Sequence, residues 1–261
     1  MRRAIGLRGR VTDIFSSLQG EGLFVGEPMV FVRLAGCPWR CRYCDTPGSL
    51  SLDAGSERTV EDVLARAQEL ERERPHKAVS LTGGEPLLQA DFSAALLKGL
   101  KGLGVRTYLE TSGTHPEALR GLIADTDVVA MDVKLPSAIG RVFWAEHEEF
   151  LRIAGGKAFV KIVLTEDTNE EEMARAIDLL SAARPVPPLV LQPATVVADI
   201  PRAEKRGQHT HLPVGEMSML SRAPGASPPS PKRTEAWKEF AQRRLTDVRV
   251  LPQMHPLWGV Q

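Results

Sequence analysis

Short, almost continuously apolar runs recur along the chain, with longer stretches of a different period between them. The runs are "PMVFVRLAG" (28–36), "KAVSLTGG" (77–84), "VRTYLETSG" (105–113), "DVVAMDVK" (127–134), "AFVKIVLTED" (158–167), "PLVLQPA" (188–194) and "DVRVLPQ" (247–253). Their length and β-branched content predict strands buried on both faces, as in a parallel sheet. Between the first two runs, residues 59–74 place Val60, Val63, Leu64, Ala67 and Leu70 at helical intervals with charges opposite, and residues 169–183 repeat the pattern. Strands alternating with such helices predict right-handed βαβ units. Six or seven units fit 261 residues. The expectation is therefore an α/β fold in a single domain over 1–261, a partial (β/α) barrel of about six parallel strands or an open wound sheet, short of the eight units of a closed barrel.

Residues 201–233 break this rhythm. They are rich in Pro, Ser and basic residues without a sustained period, which predicts a mobile excursion. Composition adds mainly exclusions. The 33 basic and 33 acidic side chains cancel, so no overall field favours nucleic acid or an anionic membrane. No apolar run approaches the ~18 residues that predict a membrane span, and arginines interrupt the start as a secretory signal. A cytoplasmic protein with reduced thiols is expected.

Chemistry gathers at one end of the predicted sheet. "CPWRC" follows the first run, "GGEP" the second and "ETSG" the third, while "DVK" ends the fourth and "QPA" the sixth. The carboxyl end of a parallel sheet is where α/β proteins bind ligands. All three cysteines, Cys37, Cys41 and Cys44, lie within eight positions as C-x3-C-x2-C. Disulfides among such near neighbours would close strained loops, so the spacing predicts a metal site. Three soft thiolates on one short loop suit three irons of a 4Fe-4S cluster and leave the fourth iron open, with Arg40 and Arg42 offsetting its charge. Structural zinc is the alternative, but it wants four ligands and the nearest histidine, His76, is distant.

The cysteine loop after a first strand, followed by "GGEP" after the second, resembles the radical S-adenosylmethionine (SAM) superfamily. That resemblance implies a fold of the radical SAM type, in which the amino and carboxylate groups of SAM chelate the open iron and one electron cleaves the sulfonium. Around this loop, "DIFSSLQGEGLFVGEPMVFVRLAGCPWRCRYCDT" (13–46), "LTGGEPLLQ", "ETSGT", "MDVKLPS" and "VRVLPQMHPLWG" resemble the 7-carboxy-7-deazaguanine synthase family over nearly the whole chain except 201–233. The family resemblance implies conversion of 6-carboxy-5,6,7,8-tetrahydropterin to 7-carboxy-7-deazaguanine with loss of ammonia, toward queuosine and related 7-deazapurines. It also implies a homodimer and an electron donor such as a flavodoxin.

Site residues follow partly from chemistry and partly from the resemblance. Gly83 and Gly84 permit close backbone approach to the methionine part of SAM, and Glu85 offers a charge-assisted bond. The resemblance adds Tyr43, Cys44 and Asp45. Ser112, Asp132, Val133, Lys134 and Gln192 are further candidates at the same sheet end, with strand capping as the alternative. For the pterin edge, Glu21 is a suitable acceptor and Gln19 can donate and accept, beside Leu18 and the permissive Gly20. A hairpin turn is the competing reading of that stretch. Arg33, a charge inside an apolar strand, either points to solvent or forks onto the substrate carboxylate. The resemblance places Thr82 at the substrate and makes Thr46 a ligand of Mg2+, against the alternative that Thr46 caps the turn before Pro47. Trp258 is expected to pack, and His255 is given no catalytic role. Two other functions compete: an activase that places a glycyl radical on a partner protein, and a non-catalytic metal-binding module.

Overall fold

Both helices read from spacing begin at a capping box. Thr59 Oγ1 accepts from the Asp62 amide at 3.1 Å while the Asp62 carboxylate accepts from the Thr59 amide at 3.2 Å. Asn169 and Glu172 make the same reciprocal pair at 3.1 and 3.0 Å. Each box satisfies amides that have no partner inside the helix. The computed structural model describes residues 6–195 and 226–259. In chain order its elements are β1 (Arg8–Leu18), β2 (Pro28–Leu34), β3 (Ser56–Thr59), α1 (Val60–Glu73), β4 (Ala78–Gly83), α2 (Ala90–Gly102), β5 (Thr107–Thr111), α3 (Pro116–Arg120), β6 (Val128–Asp132), α4 (Pro136–Ile139), α5 (Trp144–Ala154), β7 (Ala158–Leu164), α6 (Glu170–Ala182), β8 (Leu189–Pro193), α7 (Pro231–Gln242), β9 (Val248–Val250) and α8 (His255–Trp258).

Among the described residues, one nine-stranded sheet runs in the order β3-β1-β2-β4-β5-β6-β7-β8-β9. From β2 through β9 every neighbouring pair is parallel, which makes seven parallel strands where about six were expected. Two strands were not expected at all. β1 pairs antiparallel with β2, from Val11 opposite Leu34 to Leu18 opposite Pro28, and β3 pairs antiparallel with β1. Most of β1 is half-buried, and such strands lack the continuous apolar signature of the parallel ones.

Strand alternation sorts the side chains into two faces. Val30, Val32, Leu34, Leu81, Leu109, Met131, Val160, Ile162 and Leu191 face the helices and join Val63, Leu70, Leu96, Phe150, Met173 and Ile177 in the main core. The other face starts apolar at the amino ends of the strands, where Met29, Phe31, Ala78, Tyr108, Val128, Phe159 and Val190 form a second cluster. Two residues further along most of these strands, and four along β6 where Ala130 intervenes, the same face turns polar. Arg33, Ser80, Glu110, Lys161 and Gln192 stand there, with Thr82 and Asp132 one step beyond. Apolar packing at one end thus holds a polar floor at the other.

The expected excursion at 201–233 lies mostly, over 201–225, outside the described residues. Its last part is ordered: Ala226 is buried, and Ser230 caps α7 by accepting from the Arg233 amide at 3.3 Å. Trp258, expected to pack, is 38% exposed. Among the described residues no helix is long and apolar enough to cross a membrane.

Candidate active site

The carboxyl ends of the parallel strands, the β1–β2 turn and the segment before α8 enclose a cavity of about 440 Å3. Cys37, Cys41 and Cys44 are unpaired, half-buried, and line it together. Their loop is fixed at its ends by Gly36 N–H to Ser49 O at 2.8 Å and Cys37 N–H to Leu50 O at 3.1 Å. In its middle, Trp39 Nε1 donates to Ser112 Oγ at 3.3 Å and the ring packs 4.6 Å from Phe143. Burial pushes the Cys37 thiol up to about 11 and raises that of Cys44. Arg40 donates to the carbonyls of Cys37 and Trp39. Arg42, expected to offset cluster charge, is instead ion-paired with Asp167.

The glycines of "GGEP" are required by the protein's own backbone. A Cβ at Gly83, whose φ is +141°, would lie 2.3 Å from Leu34 O, and one at Gly84 would lie 2.1 Å from Gly36 O. That closeness locks the turn after β4 onto the start of the cysteine loop, with Glu85 N–H bonded to Gly36 O at 2.7 Å. Glu85 is 0% exposed and does not line the cavity. Its carboxylate accepts from Thr111 Oγ1 at 2.7 Å, the Ser112 amide at 2.8 Å, Ser112 Oγ and the Leu87 amide at 3.0 Å. It therefore shapes the wall from behind, where the sequence suggested a ligand. Val133 is likewise buried and engaged through its amide, which donates to Lys161 O at 2.9 Å.

The other expected residues do meet in the cavity: Leu18, Gln19, Gly20, Glu21, Arg33, Tyr43, Asp45, Thr46, Thr82, Gly83, Gly84, Ser112, Asp132, Lys134 and Gln192 all line it. Gln19 is already occupied at both ends, donating to Glu110 at 2.8 Å and accepting from the Glu21 amide at 3.1 Å. Ser80 and Thr82 donate to the same Glu110 carboxylate at 2.9 and 3.0 Å. The Arg33 guanidinium lies 5.6 Å from the Phe15 ring centroid and has no ion-pair partner among the described residues. Thr46 precedes a short 3-10 turn yet makes no capping bond with its side chain, and its hydroxyl donates to Asp45 at 3.3 Å.

Three functional candidates, Glu110, Lys161 and Gln253, escaped the sequence reading, and a fourth, His255, was named there but given no catalytic role. Glu110 and Lys161 are charges inside strands, the same signal that drew attention to Arg33. Gln253 and His255 come from the far end of the chain. Gln253 donates to Glu21 and, at 2.9 Å, to Asp45, while His255 Nε2 lies 3.5 Å from Asp45. Met254 N–H bonds Gly20 O at 2.8 Å, and a Cβ at Gly20 would meet the His255 side chain at 2.6 Å. Burial disfavours a charged Asp45, but His255, Lys161 and Arg33 outweigh it and hold the carboxyl at about 2.

Comparison with known proteins bears on what this cavity is for. The model of the radical SAM superfamily matches residues 31–180. The 7-carboxy-7-deazaguanine synthase of Geobacter sulfurreducens is 32% identical over 95% of this chain and 96% of its own length. That of Methanopyrus kandleri is 33% identical over 97% and 96%. The chain belongs to the 7-carboxy-7-deazaguanine synthase family. The crystal structure of QueE from Escherichia coli superposes on it with a TM-score of 0.55 at 25% identity, covering 73% of this chain and 86% of that one. A radical SAM methyltransferase from Sphaerobacter thermophilus, 16% identical with a TM-score of 0.60, shares the fold over 87% of this chain and 66% of its own.

A radical SAM synthase carries a 4Fe-4S cluster and SAM, and the residues present fit both. Three unpaired thiols from one short loop line the cavity. In the same cavity, the buried atoms Asp132 Oδ1 and Gln192 Oε1 have no hydrogen-bond partner among the described residues. Buried acceptors without partners are costly, and a ligand with hydroxyl or ammonium donors would satisfy them.

Proposed function

We propose that this synthase converts 6-carboxy-5,6,7,8-tetrahydropterin to 7-carboxy-7-deazaguanine with release of ammonia, and that the two ends of its cavity divide the work. The observation that carries this is one cavity lined by the three thiols together with Arg33, which has no ion-pair partner among the described residues, and the carboxylates Glu21 and Glu110. Cys37, Cys41 and Cys44 would hold the cluster, and SAM bound beside it would supply the radical chemistry directed at C6 of the pterin. Ser112, Asp132, Lys134, Gln192, Tyr43 and the backbone of Gly83 and Gly84 would hold SAM, with Glu85 fixing Ser112 from beneath.

Glu21 and Glu110 are acceptors for the N–H donors of the pterin's amino-oxo edge, and Gln19 orients both. Arg33 presents a two-pronged donor to the substrate carboxylate, and its stacking on Phe15 limits its freedom before the ligand arrives. Thr82 takes part through Glu110. Thr46 is the proposed protein ligand of Mg2+; its hydroxyl is free of any capping duty and lies beside Asp45. A hard cation there would keep substrate or water oxygens in its remaining positions. No side chain need act as a nucleophile, so the protein's contribution is orientation, exclusion of water and charge placement. The electron comes from an external one-electron carrier, for which a flavodoxin is suited, and the active form is a homodimer.

The test is anaerobic incubation of the reconstituted protein with reductant, SAM and the carboxy-tetrahydropterin, followed by mass analysis. The expected product has lost one ammonia relative to the pterin. SAM cleavage without that product, under conditions where the pterin is bound, would overturn the substrate assignment.

A further inference from the structure

Charges of alternating sign cross the floor of the cavity. Lys161 Nζ is ion-paired with Glu21 Oε2 and lies 3.6 Å from Asp132 Oδ2. Lys134 Nζ approaches that same Asp132 oxygen at 2.8 Å and the Tyr43 hydroxyl at 3.4 Å. These four charged side chains are only 11–19% exposed. The order Glu21, Lys161, Asp132, Lys134, Tyr43 leads from the proposed pterin end to the cysteine loop. Lys161 is the only group in it that touches a carboxylate at each end, and neither proposed ligand set explains its presence.

We propose that Lys161 is a positioning residue that couples pterin occupancy to SAM occupancy, by transferring its ammonium from Glu21 to Asp132 when the pterin engages Glu21. This deepens the reading of the site given above and rests on it. Two carboxylates share one half-buried ammonium, held closely by Glu21 and at longer range by Asp132. When N–H donors of a ligand satisfy Glu21, its hold on Lys161 weakens and the nearest remaining anion is Asp132. Asp132 Oδ2 is then held from both sides, and its unpartnered Oδ1 is fixed for a donor of SAM. The ordering of Asp132 has then been met by the first ligand, so the second binds with less to lose. Burial opposes the charge on Lys161, yet Glu21 and Asp132 outweigh it and raise its pKa. Linkage requires reciprocity: SAM must tighten pterin binding by the same factor.

The experiment measures SAM dissociation constants by equilibrium dialysis on anaerobic, cluster-reconstituted protein without reductant, so nothing turns over. Pterin affinity is measured first, and SAM affinity then with and without saturating pterin. In the parent, pterin should tighten SAM by a factor of roughly 5 to 150, the usual range of coupling between sites. In Lys161→Gln the ratio should fall to about one, and Lys161→Arg should restore part of it. Glu21→Gln, which keeps the shape but removes the competing charge, should also lower the ratio and serves if Lys161→Gln does not fold. A purely structural lysine would alter stability and leave the ratio unchanged. A ratio of one in the parent, or a parent-like ratio in the folded variants, overturns the coupling alone. Failure of the parent to bind the pterin overturns the substrate reading and the coupling with it.

Discussion

Replacing Glu85 by Gln changes one atom in a side chain that does not reach the cavity, and the geometry assigns it a large cost. One carboxylate oxygen accepts from the Leu87 amide and Thr111 Oγ1, the other from the Ser112 amide and Ser112 Oγ. The hydroxyls can rotate to become acceptors, but the two amides cannot. Whichever way a glutamine is turned, its NH2 faces one backbone N–H, either that of Leu87 or that of Ser112. A stranded buried donor costs ~1–3 kcal/mol, and the remaining bonds lose their charge assistance, so the sum is about 3 kcal/mol. For a chain of this size that corresponds to a melting temperature lower by roughly 6–12 °C. Thermal and urea unfolding of the parent and Glu85→Gln, both without SAM, give the comparison. Unfolding within ~0.5 kcal/mol of the parent, with SAM affinity alone reduced, would refute the reasoning and make Glu85 a direct ligand.

Changing any one of Cys37, Cys41 or Cys44 to Ala should abolish SAM cleavage and the iron-sulfur absorbance of reconstituted protein; full activity with bound zinc and no iron would contradict this. Glu21→Ala and Arg33→Ala should each weaken pterin use by roughly ten- to a hundred-fold, the equivalent of one charge-assisted bond of ~1.5–3 kcal/mol; without pterin, SAM affinity should be little changed in Arg33→Ala and tighter in Glu21→Ala, which leaves Lys161 to Asp132. Turnover should rise with added Mg2+ in the parent and lose that response in Thr46→Val; equal stimulation of both would make Thr46 structural. His147 is fully buried and donates through Nε2 to Ser112 O at 3.2 Å, its Nδ1 has no partner among the described residues, and burial holds its pKa down at about 4. The unfolded chain then binds the proton first, so stability falls as pH drops from about 6.5 to about 4, by at most ~3 kcal/mol. His147→Gln should show a shallower acid slope in urea midpoints between those values, and an unchanged slope would show that His147 does not supply it.

How much of this was legible in the chain depends on the range of the interaction concerned. The helices α1 and α6 were readable because their signal is local, apolar residues three and four apart; the capping pairs Thr59 with Asp62 and Asn169 with Glu172 are equally local but came from the structure. The parallel strands were readable because burial on both faces leaves a continuous apolar run. The C-x3-C-x2-C loop needs no tertiary context to declare metal chemistry, since its ligands are neighbours. Arg33 could be singled out as a charge in an apolar strand, and Lys161 in "AFVKIVL" carried the same signal.

The partners of those charges could not be read in the same way. Nothing local in the sequence pairs Lys161 with Glu21, 140 positions away, or brings Gln253 to Asp45 across 208. Glu85 looked like a ligand because it follows two glycines, and three of its four donors arrive from the end of β5 only when β4 and β5 lie side by side. The half-buried β1 carried too mixed a pattern to be recognised, although its hairpin with β2 supplies the Glu21 turn. Sequence by itself determined which side chains could do chemistry and which end of each strand they occupy, because alternation and short spacing are properties of the local backbone. Only the tertiary structure decided which of them meet and which are already satisfied by one another, because those pairings depend on strand order and on backbone approaches such as that of Gly84 to Gly36.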